Sequence, residues 1–420
     1  MRNVEFGLKK ELGAIGRAKK ARVSLLIILC YLASAPLLSA FDWGLVLDQT
    51  ANYGGFGNDS SFAYSGSLIP WFSTLLGDNS DIYVSAGIQA SYSGAGIIVP
   101  DLLRTELSFY SGFMELKAGR SYYTDPLGFI AEGLFDGARA SFFSGAGTFS
   151  VGAWYTGFLY KKRADIIMTS KEMEAYVLEL DYNDFVNTYF APRRLLAALD
   201  WEHLSLGTAM VMQAQVSLLG QFDLSGKDTL HSQYAVGKIT FPFNLFSLNM
   251  GGSLELIQEG SDFCTAFAAE LGAALFLPIA LQSRLSFLAR YSSGGLGNSG
   301  MVAFKPLTAK TQGEILKAKL SGISMLSLEY LLRLHNAFSA GISSGYFIRN
   351  DLKTYSGYPA LGENSKGYFL GNEFFAWVLW SPYSDFQLNL GGGLFLPSLG
   401  DAAPEADISW RVELNAILSL

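Results

Sequence analysis

Residues 406–420 read ADISWRVELNAILSL, and every second residue is apolar. Ile408, Trp410, Val412, Leu414, Ala416, Leu418 and Leu420 form one series, and Ser409, Arg411, Glu413, Asn415, Ile417 and Ser419 form the other. A period of two puts the first series on one face of an extended strand and the second on the other. One face is greasy and the other, apart from Ile417, is wet. A strand of a soluble sandwich meets the same description, so the rest of the chain must decide what covers the grease.

The pattern recurs. Residues 279–291 set Leu281, Leu285, Phe287, Ala289 and Tyr291 against Gln282, Arg284, Ser286 and Arg290. Residues 385–397 set Phe386, Leu388, Leu390, Leu394 and Leu396 against Gln387, Asn389, Gly391 and Gly393, and residues 245–258 and 101–110 repeat the arrangement. Turn signals separate such runs, among them GDNSD at 77–81, SGAG at 144–147 and SGKD at 225–228. The count comes to about 16 strands, within a range of 14 to 18, because boundaries are the weakest part of such a reading. No Pro/Ser-rich linker interrupts residues 41–420, which read as one domain.

Composition narrows the class. Half of the 420 residues are hydrophobic, 16% are charged and 45 are glycine, an apolar balance for a soluble protein. Yet no stretch after residue 40 has the length and uniformity of a spanning helix. The nearest, Thr265–Leu281, is interrupted by Glu270, Gly272 and Pro278, and lipid tolerates a mid-depth charge poorly. Many alternating runs are 10 to 14 residues long, longer than the usual soluble strand of about 5 to 6 and matched to the roughly 9 to 11 a tilted strand needs to cross a bilayer.

The first 40 residues read as an export signal: a basic region with Lys9, Lys10, Arg17, Lys19, Lys20 and Arg22, an apolar run from Val23 to Leu32, and small residues up to Ala40. Without the seven basic and two acidic residues of 1–40, 23 basic and 35 acidic residues are left, a net charge near −12. So acidic a chain, lacking a basic stripe, is a poor candidate for nucleic-acid binding. Cys264 is then the single cysteine, and no disulfide within residues 41–420 can form.

The export signal, the long alternating strands and the alternating C-terminal strand together resemble a bacterial outer-membrane β-barrel. The resemblance implies an all-β, transmembrane, antiparallel up-and-down barrel in the outer membrane, surrounded by its lipid. It also implies that the last strand is read by the barrel-insertion machinery, although Leu420 stands where an aromatic residue is commonest in that family. Residues 116–142, LKAGRSYYTDPLGFIAEGLFDGARASF, are similar to a strand-loop-strand unit of alginate-export-like porins. That likeness places Arg120, Asp136 and Arg139 at or near a pore lining, with a bulge at Gly119 or a loop position needed to bring Arg120 onto the face of Glu115 and Lys117.

Charges in mid-strand carry the functional expectation. Arg104, Glu106, Glu115, Lys117, Arg139, Glu255, Arg284, Arg290, Glu329, Arg333, Arg411 and Glu413 all fall on the polar face of a run. On the lipid face each basic residue costs about 2 to 4 kcal/mol at the midplane, so these side chains are expected to line a lumen. There they either form cross-strand ion pairs or tune selectivity in water. Aromatic residues at run ends, Trp71, Phe72, Trp377, Trp380, Tyr383 and Trp410, are expected in interfacial girdles. A barrel of this size leaves a channel unless a loop folds in, and two segments could do so, 123–134 and 161–194; part of the latter, 174–182, also reads as a strand.

Other chemistry is weaker. GLGNSG at 295–300 fits a dinucleotide expression but opens no helix. His203, His231 and His335 lack ligand spacing for zinc. His203 and Ser205, two apart, invite a hydrolase reading with no orienting partner in view. The sequence therefore points to a porin-like channel for passive diffusion of small hydrophilic solutes, with no cofactor and no enzymatic role. A fatty-acid-transporter-like barrel, an outer-membrane hydrolase and an adhesin stand as alternatives.

Overall fold

The computed structural model describes residues 41–420 apart from 208–210, 227–228, 279–281, 296–300, 309, 356–358, 360 and 362–364. The export signal and most of the 295–300 stretch lie outside the described residues. The chain runs β1 (Phe41–Phe56), β2 (Asp59–Leu75), β3 (Ser80–Tyr92), β4 (Gly96–Ser111), β5 (Met114–Thr124), β6 (Glu132–Ser144) and β7 (Gly147–Tyr155). Three short helices follow, α1 (Lys161–Ala164), α2 (Ser170–Val177) and α3 (Phe185–Tyr189). Next come β8 (Arg194–Leu206), β9 (Met212–Asp223), β10 (Leu230–Pro242), β11 (Phe246–Glu259), β12 (Asp262–Leu277) and β13 (Ser283–Ser292). After a small hairpin, β14 (Thr311–Gln312) and β15 (Ala318–Lys319), the chain closes with β16 (Ile323–His335), β17 (Phe338–Arg349), β18 (Phe369–Tyr383), β19 (Phe386–Leu396) and β20 (Ser409–Ser419).

Among the described residues, 18 of these strands form one antiparallel sheet in which each pairs with its sequence neighbours and β20 returns to β1. The closing seam runs from Val46↔Ser419 to Phe56↔Ser409. Leu45 and Leu420 complete it by exchanging both backbone hydrogen bonds at 2.9 and 2.8 Å. A closed barrel leaves no edge to strand its peptide groups in lipid, which is why the alternating strands have to end where they began. The count is two above the central expectation of 16. The first thirteen residues of Thr265–Leu281 lie in strand β12 and not in a helix, with Glu270 at mid-strand.

The two ends of the barrel differ. At one end lie Phe41, Leu420 and the tight turns, such as 112–113, 145–146, 336–337 and 384–385; at the other lie the long connections 156–193, 293–322, 350–368 and 397–408. Short turns on one side and long loops on the other are the asymmetry of outer-membrane barrels. The outer surface is apolar: Leu199, Leu218, Leu254, Ile342 and Leu390 are each more than half exposed. Aromatic residues band the short-turn end: Trp43, Phe243, Phe338, Trp380 and Tyr383 are exposed, and Phe72, paired with Trp43, is partly so. At the opposite rim Trp410 packs edge-on against Tyr53, with ring centroids 5.2 Å apart.

Trp71 and Trp377 depart from the expected girdle. By register they share the inward face, Trp71 opposite Gly44 and Trp377 opposite Gly341 and Gly391. A Cβ at Gly44 or Gly341 would meet the indole at 2.7 or 2.6 Å, so the glycines make room for rings that the lumen, not the lipid interface, receives.

A narrowed lumen as the candidate functional site

Contacts that skip strands fix which face looks inward. The Tyr123 hydroxyl on β5 donates to Asp200 on β8 at 3.2 Å, and Arg139 on β6 pairs with the same carboxylate at 3.1 Å. Side chains reach two or three strands along a curved sheet only across its concave side. From these anchors the register carries inward parity around the wall. It includes Arg104 with Glu106 (2.9 Å), Lys117 with Glu115 (3.0 Å), Arg284 with Glu329 (3.6 Å) and Arg411 with Glu413 (3.0 Å). Arg290 pairs with Glu270 at 2.8 Å and donates to Gln312 at 2.6 Å. Arg333 has the same parity but lies exposed at the short-turn rim, 3.4 Å from the Asn336 carbonyl. Wall cations are thus largely neutralised by neighbouring acids, and the lumen is lined by pairs rather than by one sign of charge.

Three expected residues sit elsewhere. Glu255 faces inward but is buried beneath the inserted 293–322 segment, where it accepts the Lys305 backbone N–H at 2.8 Å. Arg120 and Asp136 face each other in a bidentate pair, both bonds 2.8 Å, on the parity opposite to Lys117 and Arg139. Gly119 does adopt φ +112°, but the β5–β6 register runs unbroken from Met114 to Thr124, so no bulge turns Arg120 into the pore. Its guanidinium lies in the wall, bonded also to the carbonyls of Leu102 and Phe158.

Three connections converge inside the long-loop end. In 125–131, the Asp125 carboxylate accepts N–H bonds from Leu127, Gly128, Ile130 and Ala131 at 2.8 to 3.1 Å, a tight loop that buries Leu127, Phe129 and Ile130. Burial pushes this carboxyl above its ordinary range, and the four N–H groups only partly offset the shift. Leu307 and Thr308 of 293–322 donate to the Ile130 carbonyl, and Thr308 bridges Ile166 of 156–193. Phe304, Leu307 and Leu320 are fully buried in this cluster.

Buried charges at strand ends hold the insertions down. Glu373 on β18 accepts the N–H groups of Glu314, Ile315 and Leu316 at 2.6, 2.9 and 2.9 Å. Arg194 at the start of β8 grips Glu172 of α2 at 2.6 and 2.9 Å and reaches Gln221 at 2.5 Å. Arg349 donates to the carbonyls of Gly367 and Ser365, and Asp351 accepts from Gly295, Lys353 and Thr354. Burial also holds the Lys317 and Lys319 ammonium groups of the insertion below the ordinary lysine range.

Sequence reasoning missed these anchors and the lumen acids Asp200, Glu202 and Glu270, as well as Lys238, which lies 3.6 Å from Glu270. Glu270 had a signal, since its alternation with Leu271 continues a period of two. Where a strand is expected over 174–182, helix α2 runs through Val177, and its signal is in the sequence: Thr169 and Glu172 form a capping box in which the hydroxyl takes the Glu172 N–H at 3.2 Å and the carboxylate takes the Thr169 N–H at 3.0 Å. Two polar spaces flank the insertions, one of about 400 Å³ beside Arg284, Glu329 and Glu314, the other of about 340 Å³ beside Arg139, Asp200 and Lys238.

The alternative chemistries find no such support. His203 Nδ1 accepts the backbone N–H of Ser205 at 3.2 Å, so the imidazole is turned to the turn backbone and not to the serine hydroxyl. A fatty-acid-transporter-like barrel needs an N-terminal hatch, and the stretch expected to supply it, 41–60, is strand β1 and the start of β2 in the wall.

No protein-family model and no curated protein matches the chain. Solved structures do. The outer-membrane protein OpdK of Pseudomonas aeruginosa superposes with a TM-score of 0.59 at 10% identity, covering 91% of this chain and 99% of that one. OccAB4 of Acinetobacter baumannii gives 0.58 at 11% identity, with 92% and 100% covered. A BenF-like porin of Pseudomonas fluorescens gives 0.58 at 11%, with 91% and 100% covered. At such identities the likeness is one of fold: the chain has the architecture of an outer-membrane porin barrel, over essentially the whole length of those proteins.

Proposed function

We propose that the chain is a porin-like channel of a bacterial outer membrane, passing small hydrophilic solutes passively and without enzymatic chemistry. The observation that carries this reading is the sidedness of one closed sheet: an apolar exterior, and an interior of paired charges and polar spaces narrowed by loops from one end. Charge lining a water-filled constriction selects among solutes through its field; here the pairing argues for weak selectivity by charge and stronger selectivity by size. Lipid on the outside, delivery through the C-terminal strand and solutes in the lumen are the partners this function needs. The local likeness of 116–142 to alginate-export-like porins adds the channel class and no substrate. Among the structural neighbours, P. aeruginosa OccK2 has been solved with glucuronate and OpdK with vanillate, both small organic acids; for this chain we carry over only their size.

Liposome swelling with sugars of graded size tests the proposal. Swelling by small sugars with a sharp size cutoff, and ohmic single-channel steps in planar bilayers, are expected. Liposomes that swell no faster than protein-free ones would end the channel reading.

A further inference from the structure

The wall between β4 and β5 is incomplete. Their ladder runs from Ser111↔Met114 only as far as Thr105↔Arg120. Above it, residues 96–104 of β4 pair with β3 alone, past a bulge where Leu103 and Arg104 together face Ser85. Pro100 lies in this stretch and puts no N–H on the free edge, a residue sheets confine to edges. Barrel edges within lipid strand polar groups at a cost of several kcal/mol apiece unless something satisfies them.

Side chains do so here. The carbonyls of Ile98, Pro100 and Leu102, every second residue along the edge, accept from the Tyr182 hydroxyl, the Tyr189 hydroxyl and the Arg120 guanidinium. Arg163 of α1 pairs with Asp101, which is buried, and Tyr160 packs on Tyr189 at 4.9 Å. Segment 156–193 supplies two of these three donors and, with Arg120 of β5, stands in for a strand. The same segment reaches the lumen centre at Ile166, so one piece of chain touches both the breach and the constriction. Outside the breach, Ile98, Leu102, Tyr122 and Phe158 are exposed, and Ile98 lies just below the rim tyrosines Tyr64 and Tyr92, within the greasy band.

We propose that this breach is a lateral gate, shut in this structure by segment 156–193, through which an alkyl amphiphile passes between the lumen and the outer leaflet. Its rim is apolar for the tail, and its interior, with Arg120, Arg163, Asp101 and Asp136, is charged for the head. The segment is held to β4 by two tyrosine hydroxyls and one ion pair, and to β5 through the bond from Arg120 to the Phe158 carbonyl; these are a weaker closure than a nine-residue backbone ladder, and they can be released without breaking any strand pair. The inference rests on the channel reading above.

The test uses the full barrel in liposomes, with Cys264→Ser as background. Asp101→Cys with Arg163→Cys, bridged by a flexible bis-methanethiosulfonate, staples the segment to β4. Uptake of decanesulfonate should fall to that of protein-free liposomes and return on reduction, while glucose swelling stays unchanged. The milder pair Tyr182→Phe and Tyr189→Phe, which keeps the rings, should raise decanesulfonate uptake and let a nitroxide on a lipid tail quench a fluorophore placed at Ala164→Cys. Decanesulfonate uptake insensitive to the staple, or no lipid-borne quenching with the phenylalanine pair, overturns the gate. Loss of glucose swelling in the unmodified protein would instead overturn the channel reading.

Discussion

Replacing Glu373 with alanine should release the 293–322 insertion and widen the channel. Its carboxylate, almost fully buried, accepts three consecutive backbone N–H groups from Glu314, Ile315 and Leu316. Hydrogen bonds to a charged acceptor contribute about 1.5 to 3 kcal/mol each, and a buried donor left bare costs about 1 to 3. The three share one acceptor and lumen water can rehydrate part of the loop, so a loss of about 3 to 5 kcal/mol of docking energy is a reasonable net. Every 1.4 kcal/mol is a factor of ten, so the undocked population should rise at least a hundredfold. Glu373→Gln, which keeps the shape and one acceptor oxygen, should fall between. In planar bilayers the alanine variant should flicker between the wild-type level and a larger one, while the melting temperature of the barrel changes little because no strand pair is touched. Wild-type conductance without added noise, in a folded Glu373→Ala barrel, would refute the assignment of this residue as the anchor.

Glu270 pairs with both Lys238 and Arg290 and cancels one of their two charges, so Glu270→Gln should shift the reversal potential in a salt gradient toward anion selectivity, and an unmoved potential would show that these charges lie off the ion path. Leu414, outward on β20, should cost about 2 to 4 kcal/mol when changed to arginine, read from urea titration of the bilayer-folded barrel, whereas arginine at the inward Asn415 should cost much less. Asp351 ties loop 350–368 to Gly295. Burial raises its carboxyl, but the hydrogen bonds from Thr354, Lys353 and Gly295 outweigh that and hold it below the ordinary carboxylate value. Its stabilisation is therefore complete above the ordinary value of about 4 and is lost as pH falls through the lower folded value. Current noise should increase below about pH 4, and Asp351→Asn should abolish that pH dependence.

Alternation made the barrel legible, because a lipid-facing strand has one rule for each face and the rule shows in every second residue. The same rule misled where a local feature was given more weight than parity. Glu270 looks like a flaw when its run is taken as an apolar helix, yet it is the inward residue of β12 that two cations share. The family likeness brings Arg120 to the pore only through a bulge or a loop position, and the unbroken strand register keeps it in the wall. Trp71 and Trp377 face inward by parity, and the neighbouring strands place glycines opposite them, a fit that no single run reveals. The 293–322 insertion was not anticipated at all. It has no period, and its anchors Glu255 and Glu373 lie some 50 to 60 residues away in sequence. Such partners are set by how the barrel closes and not by any neighbourhood in the chain.

Everything rests on the two faces of the sheet meeting different solvents, and single-cysteine spin labels along β20 measure that directly. In bilayers, labels at Val412, Leu414 and Ala416 should collide with dissolved oxygen, and labels at Arg411, Glu413 and Asn415 with a water-soluble nickel chelate, alternating residue by residue. Equal access of the chelate to all six positions would contradict the account.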